Sequence, residues 1–241
     1  MESKILSVRE LRRYQKQIEI DSIGLHGQEI IKQARILVVG AGGKGIAVLE
    51  NLITAGIGFI GICDDSIVSE DDFCKQYLFG DNELGKQKAI VSKQHLQSRN
   101  SFVSIKVHNI KLSSENYRQI LENYDVVIDA TNDLNTHVLL ANVSNALKKP
   151  CIAGEIIEST IRVALLNGQE KRWIEDNFVN RSLIQAKESD LPLPLIISYS
   201  VIGAILAIES IKIILNKESQ LYEQLLIINL SGYSVTYQKL S

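Results

Sequence analysis

The residues that decide the fold are Ile36-Leu37-Val38-Val39, followed by Gly40-Ala41-Gly42-Gly43-Lys44-Gly45. The first four form a continuous aliphatic run, which is typical of a strand covered on both faces, as in a parallel sheet. The next six match G-x-G-x-x-G, in which glycines permit a tight turn and a close approach to phosphate, while the helix that follows offers free N–H groups. This pattern predicts a nucleotide-binding loop whose glycines are Gly40, Gly42, Gly43 and Gly45.

An acidic residue follows at the spacing that such a loop favours. Residues 59–63 predict a second strand, and Asp64 comes directly after it, 24 residues beyond Gly40. A carboxylate at this point can accept hydrogen bonds from a ribose. A tight packing turn without a ligand is the alternative interpretation, and loop and carboxylate together do not distinguish NAD from ATP.

Strands and helices alternate along the rest of the first two thirds of the chain. Predicted strands at 103–107, 126–128 and 151–153 are interspersed with predicted helices at 45–55, 86–99, 115–123 and 134–147. This alternation predicts an α/β fold with a doubly wound (Rossmann-like), mostly parallel sheet. Strands at 160–166, 225–230 and 235–237, with an apolar helix at 198–215, predict a C-terminal antiparallel extension.

We expect a single domain over residues 1–241. It would comprise N-terminal helices (1–34), a nucleotide-binding core (35–154) and an extension on the substrate and dimer side (155–241). The first helix is predicted at 7–17, where Ser7 and Glu10 have the spacing of a capping box. A second helix is predicted at 28–34, after Gly24 and Gly27 break the chain, whereas 167–194 reads as polar and irregular.

Composition and charge exclude several classes of protein. The 241 residues are 45% apolar and 22% charged with a net charge of −2, which suits a globular protein and leaves no basic excess for nucleic acid. Cys63, Cys74 and Cys151 are widely spaced and form no C-x-x-C pair, so we expect no disulfide framework, no zinc and a reducing, cytoplasmic location. The apolar run 195–208 is shorter than a membrane span, so no membrane partner is expected.

Five motifs in order carry a resemblance to a known family. They are R-Y-Q-K-Q at 13–17 with G-Q-E at 27–29, the glycine loop, the segment 64–76 from Asp64 to Gln76, L-G-K-Q-K at 84–88, and D-V-V-I-D-A-T-N-D at 125–133. Together they resemble the ThiF/MoeB/HesA family of adenylating enzymes, which is related to the adenylation domains of ubiquitin-activating enzymes. The resemblance extends from residue 13 to about residue 215.

The resemblance implies how ATP and Mg²⁺ would be held. Gly43 would lie against the phosphates, Lys88 would contact them, and Asp64 would hold the ribose. The segment that wraps the nucleotide supplies two acids and a lysine at a phosphate-binding position: Asp71, Asp72 and Lys75. Asn132 and Asp133 match a pair that serves Mg²⁺ and the reacting phosphate. Lys16 matches an arginine that reaches the partner subunit's ATP in family homodimers.

The activity implied by the resemblance is adenylyl transfer to a carboxylate. The oxygen of an ionised carboxylate would attack the α-phosphorus of ATP, so the protein needs to supply positioning and positive charge rather than a nucleophile. The lysines suited to this are Lys16, Lys75 and Lys88. In the family the carboxylate is the C-terminus of a small ubiquitin-fold sulfur carrier or of a peptide, which implies such a partner and a homodimer.

Departures from the family pattern keep other functions open. Lys16 and Lys75 stand where the family has arginine, Asn132 where it has aspartate and Asp72 where it has asparagine. Lysine lacks the planar fork that grips two phosphate oxygens, and a neutral amide is a weaker Mg²⁺ ligand than a carboxylate. The alternative is therefore an attenuated or inactive member that acts as a nucleotide-binding scaffold or heterodimer partner. A nicotinamide-dependent oxidoreductase is a third hypothesis, which leaves Lys88 unexplained.

Two further residues near these motifs have open roles. Lys44, inside the glycine loop, either reaches a phosphate or points to solvent. His137, shortly after Asn132 and Asp133, is expected to pack in the core or lie at the surface rather than take part in catalysis.

Overall fold

A single eight-stranded sheet forms the centre of the part of the chain described by the computed structural model, which covers residues 3–166, 171–178 and 194–239. The strands are β1 Arg35–Val39, β2 Phe59–Cys63, β3 Ser104–His108, β4 Val126–Asp129, β5 Cys151–Ile157, β6 Thr160–Leu165, β7 Gln224–Asn229 and β8 Ser234–Lys239. Their order is β3-β2-β1-β4-β5-β6-β7-β8. The first five are parallel and the last three antiparallel, which confirms the predicted fold class.

Helices cover both faces of the sheet. They are α1 Val8–Arg13, α2 Gln15–Ile18, α3 Gly24–Gln33, α4 Gly43–Ala55, α5 Lys88–Arg99, α6 Tyr117–Leu121, α7 Leu134–Leu147, α8 Lys171–Phe178 and α9 Leu195–Ile214. Ile36 and Val38 point to the side of α4 and α9, and Leu37 and Val39 to the side of α7 and α8. The continuous aliphatic run of β1 is thereby explained, because both faces of this central strand are buried.

The N-terminal helices differ from the prediction. The capping box of Ser7 and Glu10 is present, but the helix expected at 7–17 is divided at Tyr14 into α1 and α2. Helix α3 begins at Gly24 and continues through Gly27, which was expected to break the chain. A Cβ at Gly27 would lie 3.2 Å from Ile23 Cγ2 and 3.5 Å from Leu215 Cδ2. This glycine therefore serves close packing, which sequence alone does not distinguish from a turn.

Helix α9 is longer than the apolar run that suggested it. It spans 20 residues, and by length and composition alone it could cross a membrane, so the expectation that the run is too short was wrong. Half of its apolar stretch is buried, and it packs closely on α4, where a Cβ at Gly203 would lie 2.4 Å from Ala47 Cβ. The expectation of no membrane partner stays a prediction.

The C-terminal third contains the predicted strands and one helix that the sequence did not predict. Helix α8 lies within 167–194, where an irregular segment was expected; residues 167–170 and 179–193 are outside the described part of the chain. Ile174 and Phe178, four residues apart, are buried against the α7 side of the sheet. Trp173, Ile174 and Phe178 have the spacing of an amphipathic helix, which the sequence analysis overlooked, and packing against the sheet stabilises so short a helix. The assignment of 1–241 to one domain stays a prediction.

Candidate functional site

The glycine loop lies at the carboxyl edge of the sheet, between the ends of the neighbouring strands β1 and β4. Chain connections leave β1 and β4 on different sides of the sheet, and such a switch point creates a crevice for ligands. Gly40 has a φ of +97° and packs on the backbone of Ala130, 3.0 Å from the position of a Cβ. Gly42 is the N-cap of α4 and would direct a Cβ into open space. No side chain caps α4 there, so its first N–H groups can bind an anion.

A cavity of about 240 Å³ opens in front of this loop. Its wall brings together residues from the glycine loop, from the chain after β2 and β4, and from α9: Gly40, Gly42, Gly43, Lys44, Asp64, Asp72, Lys75, Lys88, Ala130, Thr131, Asn132 and Tyr199. We call it the loop cavity. Eight of the residues predicted from sequence converge here, although they are distributed over more than 90 positions of the chain, from Gly40 to Asn132.

Asp64 connects the loop cavity to a second one of about 260 Å³, the outer cavity. Its Oδ2 accepts a hydrogen bond from the Ala41 amide at 2.7 Å, and its Oδ1 accepts from the Ser66 amide at 2.7 Å and from the Ser66 hydroxyl. The carboxylate thus holds the glycine loop and the turn after β2. Gly40 and Thr131 also line both cavities, so Asp64 lies at the junction where a ribose between phosphates and base would be expected.

Lys88 reaches the loop cavity because two segments pair beside it. The Lys88 amide donates to Ser66 O at 3.0 Å, and the Val68 amide donates to Lys86 O at 2.8 Å. Lys88 Nζ donates to Asp72 Oδ1 at 2.6 Å, and both side chains are largely buried. Burial opposes the charged carboxylate, but hydrogen bonds from Lys88 and Ser69 outweigh it and hold the pKa of Asp72 below its usual range. The lysine predicted to bind phosphate is therefore ion-paired in this structure.

Tyr199 is a wall residue that the sequence motifs did not identify. A Cβ at Gly43 would lie 2.4 Å from Tyr199 Cδ2 and 2.7 Å from the Lys75 carbonyl oxygen. Only glycine permits this approach, so Gly43 fixes where α9 and the Lys75 segment meet the loop. The available signal was a polar group, Ser198-Tyr199-Ser200, inside an otherwise apolar helix.

Asn132 and Asp133 take different positions. Asn132 is exposed and lines the loop cavity, whereas Asp133 lines the outer cavity. Asp133 is the N-cap of α7: its carboxylate accepts from the Asn135 amide at 3.3 Å and from Thr136 Oγ1 at 2.8 Å. Within the described residues no cluster of three acidic, histidine or cysteine side chains forms a metal site. A Mg²⁺ ion bound here would take most of its ligands from phosphates and water, with Asn132 supplying a neutral oxygen.

Three predicted residues line neither the loop cavity nor the outer cavity. Lys16 lies on α2 with 91% of its side chain exposed and pairs with Glu19 at 2.8 Å. Asp71 is exposed in the short 3₁₀ turn before Lys75. Gly45 is buried beneath the loop. A Cβ there would lie 1.9 Å from Gly40 O, which leaves no room for a side chain. Gly45 therefore shapes the loop from below, and an action of Lys16 on a nucleotide would require a second copy of the chain.

Lys44 and His137 belong to a buried ionic network under the loop cavity. Lys44 is 2% exposed and its Nζ lies 2.7 Å from Glu155 Oε1, so neither of its expected positions was correct. His137 is buried, as expected, between Asp129 Oδ2 at 2.7 Å from Nδ1 and Glu155 Oε1 at 3.0 Å from Nε2. Burial alone would lower the pKa of His137, but the two carboxylates raise it to about 10.

Comparison with known proteins gives matches over most of the chain. The family model described as ThiF family matches residues 14–241. A sulfur carrier protein adenylyltransferase from Thermus thermophilus is 35% identical over 158 residues, which cover 66% of this chain and 58% of the relative. An adenylyltransferase and sulfurtransferase MOCS3 from Culex quinquefasciatus is 33% identical over 239 residues, which cover 98% of this chain and 53% of the relative. The chain thus spans somewhat more than half the length of these relatives.

Among solved structures, a crystal structure of E. coli MccB with ATP superposes with a TM-score of 0.77 at 20% sequence identity. The alignment covers 95% of this chain and 72% of that protein. At this identity the similarity shows the fold.

Proposed function

The chain belongs to the ThiF family, and from this premise and the loop cavity we propose that it is an ATP-dependent adenylyltransferase. It would transfer AMP from ATP to a carboxylate, giving an acyl-adenylate and pyrophosphate. The observation that carries the proposal is the convergence of the glycine loop, Lys75 and Lys88 on one cavity. Relatives at 35% and 33% identity carry the name adenylyltransferase, which supports the same reaction class.

The shape of the two cavities supports a nucleotide with a charged tail. The loop cavity offers the N-terminus of α4 and two lysines for the phosphates. Asp64 at the junction would hold the ribose. The outer cavity is lined partly by the apolar side chains of Val39, Cys63, Ile110 and Leu112, which suits a flat base. MccB, which has this fold, has been crystallised with ATP.

The residues of the loop cavity can promote the reaction by charge and position. An ionised carboxylate needs no protein base, and the barrier lies in bringing it to a polyanion with the leaving pyrophosphate in line. Lys88 and Lys75 would neutralise phosphate oxygens, and the amides at the start of α4 would hold them in place. Mg²⁺ bound with ATP would supply further positive charge, beside Asn132. Lys88 has to exchange Asp72 for phosphate when ATP binds.

We propose the C-terminus of a small sulfur-carrier protein or peptide as the acyl substrate and a homodimer as the active assembly. The name of the Thermus relative supports a carrier protein. The exposure of Lys16 fits a residue that acts in a partner's site. The pairing of Lys88 with Asp72, and the use of Asp133 as a helix cap, favour as a second candidate an attenuated member that serves as a scaffold or heterodimer partner.

The test is ATP–pyrophosphate exchange with purified protein, Mg²⁺ or Mn²⁺, and a panel of carriers and peptides ending in Gly-Gly. Lys88→Ala should abolish exchange and also lower stability, because it leaves the largely buried Asp72 carboxylate without its cation, so exchange is measured at a temperature where the variant is folded. Lys93→Ala is the matched control, since Lys93 lies on the same helix but lines a separate groove beside β3. Exchange that survives Lys88→Ala would contradict the assigned site.

The same assay separates the alternatives. Tight ATP binding without exchange for any carrier would favour the scaffold. Tight NADH binding without ATP binding would favour the oxidoreductase.

A further inference from the structure

The ionic network under the loop cavity joins four separate elements of the fold. Asp129 ends β4, His137 lies on α7, Glu155 lies on β5, and Lys44 is in the first turn of α4. Asp129, His137 and Lys44 are 0–2% exposed, and Glu155 is 9% exposed. Burying so many ionisable groups is costly unless every charge is paired and every hydrogen-bonding group is used.

Lys44 uses all of its donors inside the protein. Its Nζ donates to Glu155 Oε1 at 2.7 Å, to Thr131 O at 2.7 Å and to Gly154 O at 2.8 Å. An ammonium group has three N–H donors, so none remains for a phosphate. Two of the acceptors are backbone carbonyls, Thr131 O just beyond β4 and Gly154 O in the middle of β5, and Lys44 therefore ties the glycine loop to both strands.

His137 completes the network on the other side. Each of its ring nitrogens faces a carboxylate, Asp129 at 2.7 Å and Glu155 at 3.0 Å. Two donated hydrogen bonds require the imidazolium form, so the network alternates between negative and positive charge and is neutral as a whole. Asp129 also accepts from the Thr131 amide at 3.0 Å and the Thr131 hydroxyl at 2.7 Å. Phe178 of α8 lies 5.9 Å from the His137 ring and covers it.

Both ends of the network therefore act on the walls of the loop cavity. Lys44 is part of the glycine loop, and Thr131 begins the 131–133 loop that carries Asn132, which lines the same cavity. A lysine in the first turn of a helix opposes the helix dipole, so its position there needs a specific partner, which Glu155 provides. The network sets the separation of the two loops without adding net charge to the cavity.

We infer that Lys44, Glu155, His137 and Asp129 form a buried strut that holds the glycine loop and the 131–133 loop at the spacing needed for a triphosphate. Lys44 is thus a positioning residue. This rests on the proposed function, which places the triphosphate of ATP in the cavity that both loops line. Pre-organised loops bind a ligand more tightly, since less conformational entropy is lost on binding.

The test compares Lys44→Met, Glu155→Gln and the double variant that carries both. Each single change leaves one uncompensated buried charge, whereas the double variant keeps only the neutral Asp129–His137 pair. We therefore expect the double variant to regain most of the thermal stability that the single variants lose. The strut would still be broken, so KM for ATP in exchange should rise about tenfold or more in Lys44→Met and in the double variant. KM for the carboxylate substrate should not change.

Ser144→Ala is the matched control. Ser144 is buried on α7 and donates to Ala141 O and Leu166 O, so its loss destabilises the same helix outside the strut. It should lower the melting temperature while leaving KM for ATP as in the unmodified protein. A double variant with unchanged KM for ATP would overturn the inference, because the network would then be purely structural.

Amide hydrogen–deuterium exchange, measured without nucleotide, tests the strut in an experiment that does not depend on ATP. The Thr131 amide is bonded to Asp129, and the Ile46 amide to Gly42 O at 2.8 Å. Both should exchange at least tenfold faster in Lys44→Met and in the double variant, while amides of β3 do not. Unchanged exchange at both positions would overturn the strut. Faster exchange in a protein that does not bind ATP would instead support the strut and overturn the proposed function.

Discussion

The ion pair between Asp72 and Lys88 gives the sharpest prediction about the site. Asp72→Asn removes the carboxylate that binds Lys88 Nζ at 2.6 Å. The amide oxygen of the asparagine can still accept the hydrogen bond from the Ser69 amide, which is 2.9 Å long in the unmodified protein. The helical turn that Asp72 caps should therefore persist. The change frees Lys88 for phosphate and removes one negative charge from the cavity wall.

The size of the effect follows from the dimensions of the cavity. A cavity of about 240 Å³ has a radius of roughly 4 Å, so a phosphate at its centre is roughly 4–6 Å from the Asp72 carboxylate. At an effective dielectric constant of about 20, like unit charges at that distance repel by about 3–4 kcal/mol. Counterions and Mg²⁺ screen much of this. If about 1.4 kcal/mol of binding free energy is gained after screening, the Kd for ATP falls tenfold.

The assay is calorimetric titration of ATP into Asp72→Asn, with Glu70→Gln as the matched control. Glu70 is an exposed acid in the same 3₁₀ turn, so its neutralisation should leave the Kd within about twofold. Because the pKa of Asp72 is lowered in the folded protein, the pair is intact at neutral pH and is lost only as the pH falls below about 4. ATP binding that is weaker or unchanged in Asp72→Asn would refute the reasoning, since Lys88 would then not be held back by this carboxylate.

Three further predictions concern the neighbouring residues. The pKa of His137 is raised from its usual value to about 10. The contribution of this residue to stability is therefore complete below about pH 6.5 and is lost as the pH rises towards 10, by at most about 1.4 kcal/mol per pH unit. Denaturant unfolding across this range should show the decline, and the free energy of unfolding of a His137→Gln variant should depend less on pH. Gly43→Ala should lower the free energy of unfolding by roughly 1–3 kcal/mol, because the added methyl group would clash with Tyr199 and the Lys75 carbonyl. At Gly42 the added methyl group faces open space, so Gly42→Ala should keep its melting temperature within a few degrees but bind ATP more weakly. Equal melting temperatures of the two variants would contradict the packing argument. Asn132→Asp should lower the Mg²⁺ concentration for half-maximal exchange, because a carboxylate is a better Mg²⁺ ligand than an amide, and an increase would show that the loop positions Asp133 as the ligand.

The sequence predicted the wall of the loop cavity better than its internal contacts. The structure brings the glycine loop, Asp64, Lys75, Lys88 and Asn132 to one cavity, and their roles in binding stay predictions. What each side chain does there was not predictable. Lys88 has a partner 16 positions away in Asp72, and no local pattern indicates that this carboxylate turns inward.

Residues without a motif were missed for a related reason. Tyr199 enters the wall from α9, far along the chain, through a contact that only the absence of a side chain at Gly43 permits. Glu155 lies 111 positions from Lys44, and a glutamate in a strand at the edge of the parallel region carries no chemical signature. Helix α8 was missed for a different reason: Ile174 and Phe178 are buried and have helical spacing, but the polar residues of the surrounding segment obscured that pattern.

By itself, the sequence determined the succession of the eight strands along the chain, most of the helices and the place of the glycine loop. Periodicity, glycine spacing and the run of aliphatic residues are local properties, and backbone geometry converts them directly into elements. The tertiary structure decided which charges meet. Lys44 became part of a buried strut, Lys88 was paired with Asp72, and Asp133 became a helix cap, because electrostatic pairing depends on distances of a few ångströms between residues that the chain separates widely.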